Sequence, residues 1–382
     1  MKLERRKFIR ILGTGSLLFA ANTLFVGCDK MPRAAVKPWS PVKYQDDRLT
    51  MLSYAILAPN PHNRQPWIVD LSEEGRIILY CDSERLLPET DPFSRQILIG
   101  HGAFLELLDV AASTLGYDTT ITYFPAGEFD PAEISDKPVA VIDLVKNQER
   151  QPDPLFDSIL HRRSTKEPFL SDSLSANHGN ALQELLKSFS SSSNLTTDPP
   201  MVDQIKNLTW AAWKVEVYTA RTYQESINLM RIGADEVAKN PDGIDIMGTS
   251  IWWGKIVGLL NRKTMADPES SAFQIGVDMY REMLENTTAY AWITTNDNSR
   301  KTQVLTGREY ARLDLKSTQL GVRIHPISQI LQEYPEMRDL QNEFLSFLKI
   351  PKGQTIQMLV RLGYADQPNP SPRHPVTSFV KS

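Results

Sequence analysis

Two stretches of this chain align without a gap at an offset of 205 residues, and they limit its architecture more tightly than anything else in the sequence. Gly102–Gly116 (GAFLELLDVAASTLG) matches Gly307–Gly321 (GREYARLDLKSTQLG), with Asp109 equivalent to Asp314 and Leu115 to Leu320. Each reads as an amphipathic helix that opens and closes on glycine, the closing glycine serving as a left-handed cap. Helices carrying the same marks twice imply two related halves, the first over 46–150 and the second over 151–382. The expected fold class is α+β, a fused pseudo-dimer built from the two halves in tandem.

The second half is longer, and its excess falls at about 200–263 as a helical insertion. Asp203 to Lys239 reads as one long helix stopped by Asn240-Pro241-Asp242-Gly243, followed by a short apolar segment from Ile251 to Leu260. Trp210, Trp213, Trp252 and Trp253 fall here. They read either as core packing of the insertion or as an aromatic lid over a planar ligand. The serine-rich run Ser188 to Pro200 reads as a flexible connector.

The N-terminus gives a location. Glu4-Arg5-Arg6-Lys7-Phe8-Ile9-Arg10 is a twin-arginine export signal, and the apolar run Ile11–Val26 that follows is too short and too polar to span a membrane. It ends at Gly27-Cys28, a lipoprotein cleavage site, so residues 1–27 are read as signal and Cys28 as lipidated. Residues 28–45 then form a tether. The expectation is an exported, extracytoplasmic or periplasmic protein held to the membrane by a lipid anchor only. Twin-arginine export carries folded chains, often with a cofactor already inserted.

The chain has a formal net charge of −4, and the signal contributes +4 of its own, leaving −8 on the exported part. That balance argues against nucleic acid as a partner. Cys81 is the one cysteine besides Cys28, so no intrachain disulfide is expected. The six histidines show no zinc-helix spacing, and there is no phosphate-binding glycine loop or nucleophile triad. No metal and no catalytic side chain are assigned.

Two motifs carry the chemistry. Ala58-Pro59-Asn60-Pro61-His62-Asn63-Arg64-Gln65-Pro66-Trp67 is a proline-stiffened loop between a helix (Arg48 to Leu57) and a strand (Trp67 to Asp70). It offers the amides of Asn63 and Gln65 at a set angle, suited to a flavin ring edge or ribityl chain, or it is a plain turn. The second motif is Leu160-His161-Arg162-Arg163-Ser164-Thr165-Lys166-Glu167-Pro168-Phe169. Asp153-Pro154 starts a helix expected to run to His161, which puts the arginines at its C-terminal end. Arg162, Arg163, Ser164 and Lys166 read as a phosphate-binding cluster, or as a basic helix end favoured by the dipole.

Together these motifs closely resemble the nitroreductase family of FMN proteins. The likeness extends to Leu320 through Ser328, similar to the family's segment beside the flavin, and to Leu362-Gly363-Tyr364 with Pro372-Arg373-His374-Pro375, similar to its basic C-terminal phosphate contact. The resemblance implies a nitroreductase-like fold and FMN as cofactor. It also implies a flavin site built from Pro61, His62, Asn63, Gln65, Arg162, Arg163, Ser164, Lys166, Pro326, Ser328 and Arg373. Each motif occurs once, in different halves, which leaves one composite site and a monomer. The implied activity is hydride or electron transfer through flavin N5 to a small-molecule electron acceptor. The alternative is a flavin-sequestering or storage lipoprotein with a closed lid and little turnover.

Overall fold

A computed structural model describes residues 29–381 of the chain, so the segment read as an export signal and Cys28, read as its lipidation site, lie outside the described residues. The first elements are a single helical turn, α1 (Arg33–Val36), and α2 (Asp47–Ala55), whose N-cap Asp46 accepts from the Arg48 amide. The proline-rich loop follows and then β1 (Trp67–Asp70), as the sequence leads one to expect. Strand β2 (Arg76–Cys81), helix α3 (Arg95–Thr114), β3 (Tyr117–Tyr123) and β4 (Ala140–Lys146) complete the first half. Its sheet is antiparallel throughout, in the order β1-β2-β4-β3.

The connection to the second half holds two corrections. The helix expected over Pro154–His161 is a single 3-10 turn, Phe156–Ser158, whose N-cap is Leu155 and not Asp153; Asp153 accepts from the Leu155 amide at 2.8 Å, ahead of the turn. The turn is brief because Leu155 and Ile159 are anchored in the first half's core and Arg162 then leaves for an ion pair on another helix. After α4 (Ala176–Lys187), the supposed flexible connector contains β5 (Ser192–Thr196), whose backbone pairs with a neighbouring strand whatever its side chains.

The insertion departs most from expectation. The single helix foreseen over Asp203–Lys239 is three: α5 (Pro199–Tyr218), α6 (Ala220–Leu229) and α7 (Ala234–Lys239). The breaks fall at Thr219, which is extended, and at Gly233, whose φ of +87° is open to glycine and strained for other residues. A short β6 (Met230–Ile232) lies between α6 and α7 and pairs in parallel with β7 (Ile244–Ile246). Helices α8 (Thr249–Ile256), α9 (Arg262–Ala266) and α10 (Ser271–Glu285) follow, so the added segment runs from β5 on to residue 288, well past 263. Trp213 stacks on Tyr280 at 4.4 Å and 8°, and both Trp213 and Trp210 pack onto the insertion's own apolar cluster. For these two, core packing is the role.

The remainder is β8 (Ala289–Thr295), α11 (Arg300–Gln319), β9 (Arg323–Pro326), α12 (Arg338–Phe347) and β10 (Thr355–Gly363). The second sheet is ordered β5-β8-β10-β9. Strand for strand, this is the topology of the first: two strands, a long helix, two strands, with the last strand threaded inside.

The repeated helices, α3 and α11, pack directly on each other. A Cβ placed on Gly102 would lie 1.8 Å from the Val304 carbonyl oxygen, and one on Gly307 would lie 1.9 Å from that of Ile99. These glycines therefore stand in mid-helix at a backbone-to-backbone crossing and do not open the helices, which start seven residues earlier. Gly116 and Gly321 close them in the left-handed region at φ +69° and +71°, as read. The repeat also extends back to Ser94-Arg95 and Ser299-Arg300. Arg95 donates to the carbonyls of Leu331 (2.6 Å) and Gln357 (2.9 Å) in the second half, and Arg300 to those of Phe93 (2.5 Å) and Asp130 (2.8 Å) in the first.

The boundary between halves is crossed once more at the end. Val380 bridges Val69 on the open edge of β1, the Lys381 amide donates to the Val69 carbonyl at 2.8 Å, and Val376 and Phe379 sit in the first half's core. The tail thus belongs spatially to the first half, not to a unit 151–382.

Candidate functional site

The proline-stiffened loop is under conformational load. His62, Asn63 and Gln65 have φ of +47°, +51° and +51°, three side-chain-bearing residues in the left-handed region within four positions. Each costs about 1–3 kcal/mol unless its surroundings dictate it. They do so here. Asn60 Oδ1 accepts from the Gln65 amide at 2.7 Å, its Nδ2 donates to the Ala58 carbonyl at 3.0 Å, and Asn63 N donates to the Asn60 carbonyl at 3.2 Å. Helix α3 makes room at Gly100, where a Cβ would lie 3.1 Å from that of Asn60. Gly100 and Gly102 thus serve two different close approaches.

The amides singled out in the sequence are largely committed within the protein. Gln65 is fully buried; its Nε2 donates to the Pro241 carbonyl at 2.9 Å and its Oε1 accepts from the His374 amide at 3.0 Å. Asn63 Nδ2 donates to the Pro372 carbonyl at 2.9 Å, and its Oδ1 accepts from Arg373. The loop therefore binds the insertion on one side and the C-terminal tail on the other. The Gly243 amide adds a bond to the Asn63 carbonyl at 3.2 Å. Asp242, next to it, accepts from Arg85 at 2.9 Å and Arg231 at 2.5 Å. Burial works against the charge on Asp242, but His374, Arg231 and Arg85 hold its carboxyl well below the usual range. What lies over the loop is this acidic turn.

The arginines divide by role. Arg162 is buried and ion-paired with the fully buried Asp314 at 3.0 Å, and it also donates to the Leu57 carbonyl at 2.8 Å. Arg373, 3 % exposed, donates to the carbonyls of Ile56 (3.1 Å), Ala58 (3.2 Å) and Pro372 (3.0 Å), to Ser371 Oγ (2.8 Å) and to Asn63. It thereby closes the C-terminal end of α2. Arg163 is different: NH1 reaches only the carbonyls of Leu160 and Arg162 beside it in the chain, and its guanidinium lies over the Trp39 ring at 4.1 Å. Arg162 and Arg373 also face that ring, at 5.7 and 5.6 Å. Trp39 belongs to the stretch read as a free tether, yet it is 7 % exposed and donates to the Ser371 carbonyl at 2.8 Å. That stretch is docked.

Ser164 forms a parallel bridge with Ile324, and the Thr165 amide donates to the Ile324 carbonyl at 3.0 Å, which lays the second motif along β9. Arg361 on β10 holds it there through the carbonyls of Thr165 and Glu167, both at 2.7 Å, and donates to His325 Nδ1 at 3.1 Å. Lys166 is exposed and stands 3.8 Å from Asp245. Pro326 pairs with Val360 in the sheet, and Ser328 begins the 3-10 turn Gln329–Leu331; their bonds run within the second half. The structure thus joins the loop, the double-arginine segment and the tail directly, and brings β9 in through Ser164 and Thr165. Trp39, Arg361 and Asp242 were not foreseen. Only Asp242 had a signal, as a member of the turn that stops a helix.

The electrostatics are one-sided. Burial, then Arg162 and Arg323, push the Arg163 guanidinium down to about 10, and burial with Arg162 and Arg163 drives Arg373 well below its ordinary value. His62 is pushed down to about 4 by burial and by Lys166 and Arg64, and His325 is lowered by burial, Arg361 and Lys166. Both imidazoles are neutral at pH 7. Among the described residues, His62 Nδ1, Arg162 Nε, Arg163 Nε and Thr165 Oγ1 are buried without a hydrogen-bond partner. Unpaired donors amid excess positive charge suit a buried anion with further polar groups.

Comparison with known proteins gives limited matches. No family model matches the chain. The "Putative NAD(P)H nitroreductase acg" of Mycobacterium tuberculosis is 33% identical over 115 residues, 30% of this chain and 33% of that protein. An uncharacterized protein of the same organism is 32% identical over 126 residues, 31% of this chain and 36% of that one. The chain therefore spans about a third of the length of the curated relatives it matches. Among solved structures, a "putative nitroreductase" from Anabaena variabilis is 11% identical, covering 94% of this chain and 99% of that one at a TM-score of 0.41. A nitroreductase with bound FMN from Desulfitobacterium hafniense is 12% identical, covering 60% and 98% at a TM-score of 0.36.

Proposed function

We propose that this chain is an FMN-binding oxidoreductase of the nitroreductase type, exported through its twin-arginine signal and held at the membrane by a lipid on Cys28. The observation that carries the flavin reading is that the segments joined by Arg162 to Leu57 and by Asn63 to Arg373 carry buried, unpartnered polar atoms, Arg162 Nε, Arg163 Nε, Thr165 Oγ1 and His62 Nδ1. The 33% identity to a nitroreductase-named relative over part of the chain supports it.

The residues present fit the group. Arg163 and Lys166 would meet the phosphate, since Arg163, half-buried, alone of the three clustered arginines spends its NH groups only on neighbouring carbonyls. Arg162 and Arg373 set the cluster's shape and field. His62, neutral at pH 7, has a buried, unpaired Nδ1 that would be available to a polar atom of the cofactor. When bound, the flavin supplies hydride or electron transfer through N5 to a small-molecule acceptor. One site serves one chain, because each motif occurs once.

Native mass spectrometry and the visible spectrum of the purified protein test this reading, with one FMN per chain expected. A colourless protein that fails to take up FMN overturns it, and two flavins per chain overturns the single composite site. The storage reading draws on one specific feature, the acidic turn tied down through Asp242 and Gln65. Slow flavin reduction by NADH or dithionite in the loaded protein, hastened by Asp242→Ala, would favour storage over turnover.

A further inference from the structure

Asp29, the first described residue, is held firmly. Its carboxylate accepts from the Ala234 and Gly248 amides, both at 2.7 Å, and so joins the starts of α7 and α8. The described chain therefore begins at this end of the insertion. A Cβ on Gly233 would meet Asp29 Oδ1 and Lys255 Nζ, each at 3.5 Å, so the Lys255 ammonium flanks the same glycine as the Asp29 carboxylate. Directly after Lys255 come Ile256, Val257 and Leu259, exposed by 56, 55 and 53 %. Eight large apolar side chains are that exposed among the described residues, and three of them fall within these four positions. Such clustering is not random surface exposure.

The surroundings suit an interface between water and lipid. The acids at this end are neutralised locally, Asp235 by Lys255 at 2.8 Å and Glu236 by Arg262 at 2.6 Å, while Lys263 is exposed beside them. Trp252 and Trp253, half-buried on the same helix, pack edge to face at 4.8 Å. Apolar tips with tryptophan behind and basic residues alongside are what a surface needs to rest in a headgroup layer.

We propose that the end of α8, Ile256 through Leu259, is a membrane-contact surface that dips into the bilayer beside the anchored N-terminus. The proposal rests on the reading of Cys28 as the anchor for its geometry, and adds a second contact to it. With two contacts near each other, the protein lies in a fixed orientation on the membrane instead of swinging on its anchor.

The test places an environment-sensitive fluorophore at Val257→Cys, or at the exposed control Val145→Cys, in the full chain reconstituted into phosphatidylethanolamine–phosphatidylglycerol vesicles. Cys81 is buried and stays unlabelled. The label at 257 is expected to be several-fold less accessible to aqueous iodide than that at 145, and to be quenched by doxyl-labelled lipid. Equal iodide access at the two positions overturns the proposal. Shielding from iodide without quenching by doxyl lipid also overturns it, since residues 11–26 or a second copy of the chain would then be the cover. The mass of the N-terminal peptide separately reports acylation of Cys28. An unacylated peptide rejects the anchor, and the label at 257 is then read in the Cys28→Ser background, where position 28 takes no fluorophore.

Discussion

Arg163 and Arg373 carry the same charge into the same cluster and spend it in opposite ways. Arg373 gives its donors to backbone carbonyls, Ser371 and Asn63, so removing it strands buried acceptors at the end of α2. Arg163 retains a buried Nε with no partner. Arg163→Ala is therefore expected to weaken FMN binding by about 1.5–3 kcal/mol, roughly tenfold or more, at nearly unchanged melting temperature. Arg373→Ala should instead cost about 3 kcal/mol of stability or more, because several carbonyls lose their donor together. Flavin-fluorescence titration and thermal melts of the two variants separate these roles; equal effects on both readouts would refute the division. The sequence displayed the arginines but not their allotment. A guanidinium between Asp314 and Leu57, far away in the chain, reads identically to its neighbour under Trp39.

Among elements, the two long helices were legible and their crossing was not. Glycine at a helix end and glycine at a contact between helices leave the same letter in the sequence. Only distance to the neighbouring helix separates Gly102, pressed on Val304, from Gly116, which supplies a left-handed turn. Gly102→Ala drives a methyl into the Val304 carbonyl, an overlap that no rotamer relieves, and should cost about 3 kcal/mol or more. Gly307→Ala should do the same from the other side. Denaturant titration checks both, and a wild-type midpoint in either variant would show that the helices slide apart freely. The helix expected within the insertion was not resolved into pieces. Thr219 and Gly233 fit within an apolar helical pattern, and the breaks come from packing that the pattern does not contain. The loop motif kept its expected helix and strand on either side, because prolines and the apolar strand residues act locally.

Across the whole molecule, the halves share one strand order and exchange parts: Arg95 and Arg300 reach across in both directions, and the last residues return to the first sheet. Removing residues 376–382 takes Val376 and Phe379 from the first core and uncovers the edge of β1. The truncated chain should lose hydrogen-exchange protection first at Ile68 and Val69, with β8 and β10 affected later. Uniform loss across both sheets would deny the tail its local role. That return also imposes a timetable. Val69 must wait for a partner made 311 residues later, which at typical ribosome speeds of about 5–20 residues per second is roughly 15–60 s. Throughout that interval the newborn first half carries an unfinished edge and a core without Val376 and Phe379. The edge of β1 is closed only once residues 376–381 have been made, so export in the folded state, as proposed above, requires translation to have passed them first.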